Sequence, residues 1–177
     1  MTFETERLLL RPWTEADAQQ LYLYASDPGV GPAAGWPPHT SVENSRQVIR
    51  DVLSEDGTFA VCLKSSGNVP VGSIGYFKRG SISEGEEIGY WIGRPFWGQG
   101  LVPEAVRCLL DYLFTEGGVS RVWCAHFVGN DKSRRVVEKC GFRPEFYRSC
   151  AWPAIGRTLT EKYYSLRRAE YLTKRSR

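Results

Sequence analysis

Three features of this sequence have the residue types and spacing for chemistry: adjacent carboxylates, a Gly-x-Gly turn, and a helix start carrying a hydroxyl. Glu86 and Glu87 open the apolar stretch Ile88-Gly89-Tyr90-Trp91-Ile92. That stretch runs into Trp97-Gly98-Gln99-Gly100-Leu101-Val102-Pro103 and then a helix pattern. A helix start leaves N–H groups unpaired at the positive end of the helix dipole, so a phosphate placed there satisfies both. Glycines let the backbone come close to such a ligand. Proline has no N–H to waste, and Pro103 is expected at the first helical position. On these residues alone, a plain strand-to-helix turn with nothing bound reads equally well. Neither G-x-x-x-x-G-K-[ST] nor G-x-G-x-x-G is present, because Pro103 stands three after Gly100. In simple alternation Glu87, Gly89 and Trp91 share one strand face, and Glu86, Ile88, Tyr90 and Ile92 the other. Gly89 suggests a bulge or a close backbone approach, and a bulge would break that alternation.

These groups need a sheet and helices to hold them. Arg7 to Pro12 reads as a short strand, and Thr14 caps a helix running to about Ser26. A Gly/Pro-rich loop with Trp36 and His39 leads to a second helix from Ser41, with apolar positions through Leu53. Strands follow at Phe59–Leu63, Val69–Phe77 and Glu86–Ile92. A helix from about Pro103 to Glu116 ends at Gly117-Gly118, followed by a strand at Arg121–Phe127 and a helix at Asp131–Cys140. Strands near Glu145–Cys150 and Thr160–Leu166 close the chain. Antiparallel strands joined to a strand–helix–strand crossover predict an α+β (mixed α/β) fold. One central sheet is expected in a single domain spanning residues 1–177, with a basic tail from about residue 168.

Composition narrows the function. A net charge of +3 is too mild to argue for nucleic acid, and Lys174-Arg175-Ser176-Arg177 reads as a solvated end. No leader-like or membrane-spanning apolar run is present. The five cysteines (Cys62, Cys108, Cys124, Cys140, Cys150) are scattered without C-x-x-C spacing. They read as reduced thiols of a cytoplasmic protein, and with only two histidines no metal site is expected.

Asn130-Asp131-Lys132-Ser133-Arg134-Arg135-Val136-Val137-Glu138-Lys139-Cys140-Gly141-Phe142 follows a strand, with W-G-x-G-x-x-x-E-A upstream. Together they resemble the GNAT superfamily of acetyl-CoA-dependent N-acetyltransferases. The opening Glu6-Arg7-Leu8-Leu9-Leu10-Arg11-Pro12 is similar to the RimJ/RimL-like branch, which acetylates ribosomal-protein N-termini. The resemblance runs from about Thr5 to Leu166. It implies a sheet splayed beside Glu86–Ile92, with the pantetheine arm of coenzyme A lying in the gap.

On that resemblance the amides of Trp97, Gly98, Gln99, Gly100, Leu101 and Val102 hold the pyrophosphate. Backbone groups of Trp91, Ile92 and Gly93 pair with the arm, Asn130 contacts it or simply caps its helix, and Lys132, Arg134 and Arg135 either meet the ribose phosphate or stay solvated. Pro95 departs from the Gln or Arg common at its position. Glu87 matches the position of the general base, with Glu86 or a water chain as alternatives, or with both glutamates merely solvated. The usual tyrosine acid is replaced by Val137, which leaves Ser133 to protonate or hydrogen-bond the sulfur, unless it only caps its helix. Trp36, Glu86 and Tyr90 are expected at the acceptor, unless Trp36 only packs its loop down, and His126 is either a core residue or an acid–base group. The implied reaction is direct acetyl transfer to a primary amine, foremost a protein N-terminus. A small amine such as an aminoglycoside or polyamine, or a non-catalytic coenzyme A-binding module, are the alternatives. The protein is expected as a monomer or a homodimer.

Overall fold

The computed structural model describes residues 1–79 and 84–175, with the side chains of residues 174 and 175 outside the description. The elements in chain order are β1 (Phe3–Glu4), β2 (Leu8–Arg11), α1 (Ala18–Ala25), α2 (Val42–Val48), β3 (Thr58–Leu63), β4 (Val69–Phe77) and β5 (Glu86–Ile92). They continue with α3 (Leu101–Thr115), β6 (Arg121–Phe127), α4 (Asp131–Lys139), β7 (Arg143–Trp152), β8 (Arg157–Arg167) and α5 (Arg168–Arg175). The strands form one eight-stranded sheet in the order β1-β2-β3-β4-β5-β6-β8-β7. Every pairing is antiparallel except β5–β6, which the α3 crossover joins in parallel.

Alternation along the strands divides the core. On one face Leu8, Leu10, Val61, Ile74, Ile88, Val122, Cys124 and Tyr164 are buried against Leu109, Leu110, Leu113 and Phe114 of α3 and Val137 of α4. On the other, Ala60 and Cys62 meet Ala18, Leu21 and Ala25 of α1. Each fully buried leucine in these layers contributes about 1.5–3 kcal/mol.

The site depends on one irregularity. β5 stays paired with β4 as far as Gly72↔Ile92, and β6 with β8 as far as Phe127↔Glu161. Between β5 and β6 the pairing stops at Ile88↔Cys124. Gly89–Ile92 and Ala125–Phe127 therefore diverge, which opens the expected splay.

Several expectations change. Gly89 forms no bulge, since the β4–β5 register is unbroken through Gly75↔Gly89. A Cβ there would lie 3.1 Å from the Phe77 ring, so the glycine answers a close side-chain approach. α3 begins at Leu101, which makes Pro103 its third residue; that N–H is still among the orphans of the first turn, so proline costs nothing. The second helix continues past Val48 as a π turn at Ile49–Leu53. β1 was not foreseen and is too short to show a period. Arg168–Arg175 forms a helix that was not foreseen, and the side chains of the basic end, residues 174–177, lie outside the description. Tyr171 packs on Phe114 at 5.1 Å between ring centroids, and its hydroxyl donates to Asp111 at 2.8 Å. Ser176 and Arg177 lie outside the described residues.

Candidate active site

The turn after β5 is built for close approach. Gly98 and Gly100 have φ of 75° and 76°, left-handed values that cost other L-residues about 1–2 kcal/mol. A Cβ on Gly98 would meet nothing within 4 Å, so the space before the α3 start is open. The Trp97 indole donates to Ile92 O at 2.9 Å and closes the turn. The Arg7 guanidinium donates to Gln99 O at 2.9 Å and to Glu104 in the first turn of α3 at 2.7 Å. Lys132 Nζ lies 3.6 Å from the Trp97 ring centroid, which brings a cation to the mouth. Arg94 is committed to Asp27 at 2.6 and 2.7 Å and holds that carboxyl down to about 2. Open backbone, a helix start and an adjacent cation fit a phosphorylated ligand. Gly98→Ala keeps the N–H but strains the left-handed turn by about 1–2 kcal/mol and puts a methyl in its open space, so it is expected to weaken coenzyme A binding roughly tenfold. Calorimetry with coenzyme A checks this.

The splay is bridged on the α3/α4 face. Tyr90 Oη lies 2.9 Å from Ser133 Oγ and 3.4 Å from Ser133 O. Asn130 caps α4 by accepting from Ser133 N at 3.1 Å, while its amide donates to Ala33 O at 3.4 Å. Gly93 N donates to Val71 O at 2.8 Å, so that group faces β4 rather than the gap. Arg135 is exposed and makes no ion pair among the described residues, whereas Arg134 is held by Asp131 and Glu138.

The α1/α2 face carries the charge. Glu87 is 4% exposed, and its Oε2 lies 3.2 Å from Arg79 Nε without forming a hydrogen bond. Burial pushes this carboxyl up to about 7; Arg79 opposes the rise and Glu161 adds to it. The Arg79 guanidinium reaches Glu161 at 3.2 Å and also donates to the Tyr163 hydroxyl. Tyr163 donates to Glu161 Oε2 at 3.1 Å. Two buried carboxylates thus share one guanidinium, which favours keeping one of them protonated. A cavity of about 220 Å³ opens beside them, lined by Arg79, Arg148, Cys150, Ala151, Trp152 and Glu161. The buried Trp152 indole N–H has no hydrogen-bond partner among the described residues, and the Cys150 thiol beside it is a weak acceptor. The Trp152 ring lies against Gly35, so the loop after α1 meets the β7–β8 hairpin there.

Glu87, Trp91 and Trp36 converge on this face, with the Trp36 and Trp91 rings 5.5 Å apart. Glu86 and Tyr90 do not join them. Alternation turns both toward α3 and α4, where Glu86 neighbours Tyr76 and Tyr90 meets Ser133. His126 is a core residue whose ring nitrogens lie 2.9 Å from Phe127 O and 3.2 Å from Tyr164 Oη. Sequence reasoning missed Arg79 and Glu161. For Glu161 the signal was weak: an acid alternating with Tyr163 and Ser165 in a strand that is polar over much of its length.

Residues 7–143 match the acetyltransferase (GNAT) domain family. The uncharacterized N-acetyltransferase p20 of Bacillus licheniformis is 33% identical over 96% of this chain and 98% of its own. YdaF of Bacillus subtilis, named as a candidate ribosomal N-acetyltransferase, is 36% identical over 56% of this chain and 55% of its own. The crystal structure of a GNAT-family acetyltransferase from Bacillus anthracis superposes with a TM-score of 0.84 at 28% identity, covering 96% of this chain and all of that one.

Proposed function

Because the chain belongs to the GNAT acetyltransferase family, an acetyl-CoA-dependent class of N-acetyltransferases, we propose that its acceptor is a protein N-terminal α-amine and that Glu87 is its general base. Acetyl-CoA, when bound, supplies the acetyl group as a thioester. The amides from Trp97 to Val102 hold its phosphates, and the backbone between Gly89 and Ile92 lies along its arm. Ser133 offers its hydroxyl to the sulfur from the start of α4.

What supports the acceptor reading is the placement of Glu87, buried beside Arg79 and Glu161, where burial raises its carboxyl to about 7. Taking a proton from an α-ammonium near 8 is uphill by about 1.4 kcal/mol, but from a lysine-like ammonium near 10.4 by nearly 5 kcal/mol. Such a base suits the weaker amine. Glu87 does not itself line the cavity, whereas Arg79 lines it and lies against Glu87, so a proton from the cavity reaches Glu87 through a relay. A protein N-terminus carries a peptide carbonyl one carbon from its α-amine, an acceptor for donors such as Arg79 on the cavity wall, and a polyamine has none. The name of YdaF supports the same acceptor class.

The test is a competition among a lysine-free peptide with a free N-terminus, an N-blocked peptide with one lysine, and spermidine, read by mass spectrometry. The free N-terminus is expected to win at least about tenfold, from the difference in proton-transfer cost. Preference for spermidine or lysine would overturn the acceptor and leave the acetyltransferase standing.

A further inference from the structure

Tyr90 and Ser133 are the described pair whose hydroxyls meet across the splay. They come from different elements, β5 and α4, and touch where β5 and β6 have already parted. Two arrangements pair the two hydroxyls, with the Cys124 thiol a weaker competing partner for Tyr90. Tyr90 donates to Ser133 Oγ at 2.9 Å, or Ser133 donates to Tyr90 while Tyr90 turns to Ser133 O at 3.4 Å. Both arrangements use the 2.9 Å contact; the second adds only the long bond to Ser133 O, so an acceptor placed in the gap favours the first. In the first arrangement the proton of Ser133 is free to point into the gap; in the second it is spent on Tyr90. Burial pushes the Tyr90 hydroxyl well above its ordinary value, and the Cys124 thiol facing it is raised as well, so Tyr90 keeps its proton as a donor. The backbone N–H of Ser133 is already taken by Asn130, which fixes the residue at the helix start.

We propose that Tyr90 is a positioning residue: by donating to Ser133 Oγ it aims the serine O–H into the splay as a ready donor for the coenzyme A sulfur. This rests on the reading that the arm of coenzyme A lies in the gap with its sulfur at Ser133. Tyr90 transfers no proton. A hydroxyl held this far above the thiol range is a poor acid toward a thiolate, which ionises near 8.5. Its contribution is orientation: a hydrogen bond to a charged group aimed in advance is worth about a tenfold preference for the thiolate or more.

Calorimetric binding of coenzyme A and of desulfo-coenzyme A, which lacks the thiol, tests this across the thiol titration range. The wild-type protein is expected to bind coenzyme A progressively tighter than the desulfo form as pH rises, by about tenfold at the top. Tyr90→Phe, and Tyr90→Met as a second variant without the hydroxyl, should lose most of that gain and keep desulfo-coenzyme A affinity within about twofold. Tyr90→Phe added to Ser133→Ala should cost nothing further. A full pH-dependent gain in Tyr90→Phe, or equal weakening of both ligands, would overturn the proposal and leave Tyr90 as packing. If the wild-type protein binds neither ligand, the acetyl-CoA reading itself fails.

Discussion

Glu87→Gln is expected to lower kcat/KM for the acceptor by roughly two to four orders of magnitude, the usual contribution of a positioned base. Coenzyme A affinity should change little, because Glu87 lies on the face away from Ser133 and apart from the turn that holds the phosphates. The same variant should be more stable than the wild type above neutrality. The Glu87 carboxyl is raised from 4.5 to about 7 on folding. Between those values the folded state holds the proton more tightly than the unfolded chain, so stability falls as pH rises through the window. Above it the wild type carries a penalty of at most about 3 kcal/mol, and below pH 4.5 none. Glutamine does not ionise and escapes that penalty. Denaturant melts at acidic and alkaline pH check this: the stability advantage of Glu87→Gln should appear only at the alkaline end. A variant that is less active yet more stable marks a strained functional group rather than a structural one.

Arg79→Met gives the largest expected loss of stability. Its guanidinium faces Glu87 and Glu161, which are 4% exposed each, and the Tyr163 hydroxyl. Removing one partner of a buried ionic cluster costs about 3–5 kcal/mol because the remaining charges stay buried without compensation. In a domain of this size that corresponds to a melting temperature lower by on the order of 10 °C. The deficit should shrink as pH falls, since protonated carboxyls no longer need the cation. Glu87→Gln added to Arg79→Met should recover part of the loss, a non-additivity expected of groups in one network. Additive effects would mean that Arg79 acts on Glu161 alone.

The parts of the site that follow one another along the chain were legible early. Glu87, the turn from Trp97 to Val102, and Asn130 with Ser133 lie in local strand, turn and cap patterns that the folded chain preserves. The direction of Tyr90 was legible too, because strand alternation already set it opposite Glu87. Its partner was not, since only the tertiary position of α4 brings Ser133 beneath it. Arg79 and Glu161 escaped for the same reason: they meet Glu87 through the β4–β5–β6–β8 order of the sheet, which no local spacing encodes. Gly89 invited a bulge because the demand for a missing side chain comes from Phe77 on the next strand. The helix over residues 168–175 was missed because Tyr171 is a single anchor among charged residues, too few to show a helical period.

The most direct test of the central claim is the pH dependence of acceptor kcat/KM in the wild type and in Glu87→Gln, measured with one N-terminal peptide. The acceptor's own ammonium titrates near 8 in both proteins and contributes the same rise to each. The wild type should show an additional acidic limb at about 7, the Glu87 carboxyl in the free enzyme, which is absent from Glu87→Gln. An acidic limb of the same midpoint in both proteins, with comparable plateau rates, would contradict Glu87 as the base and move that role to another group in the cavity.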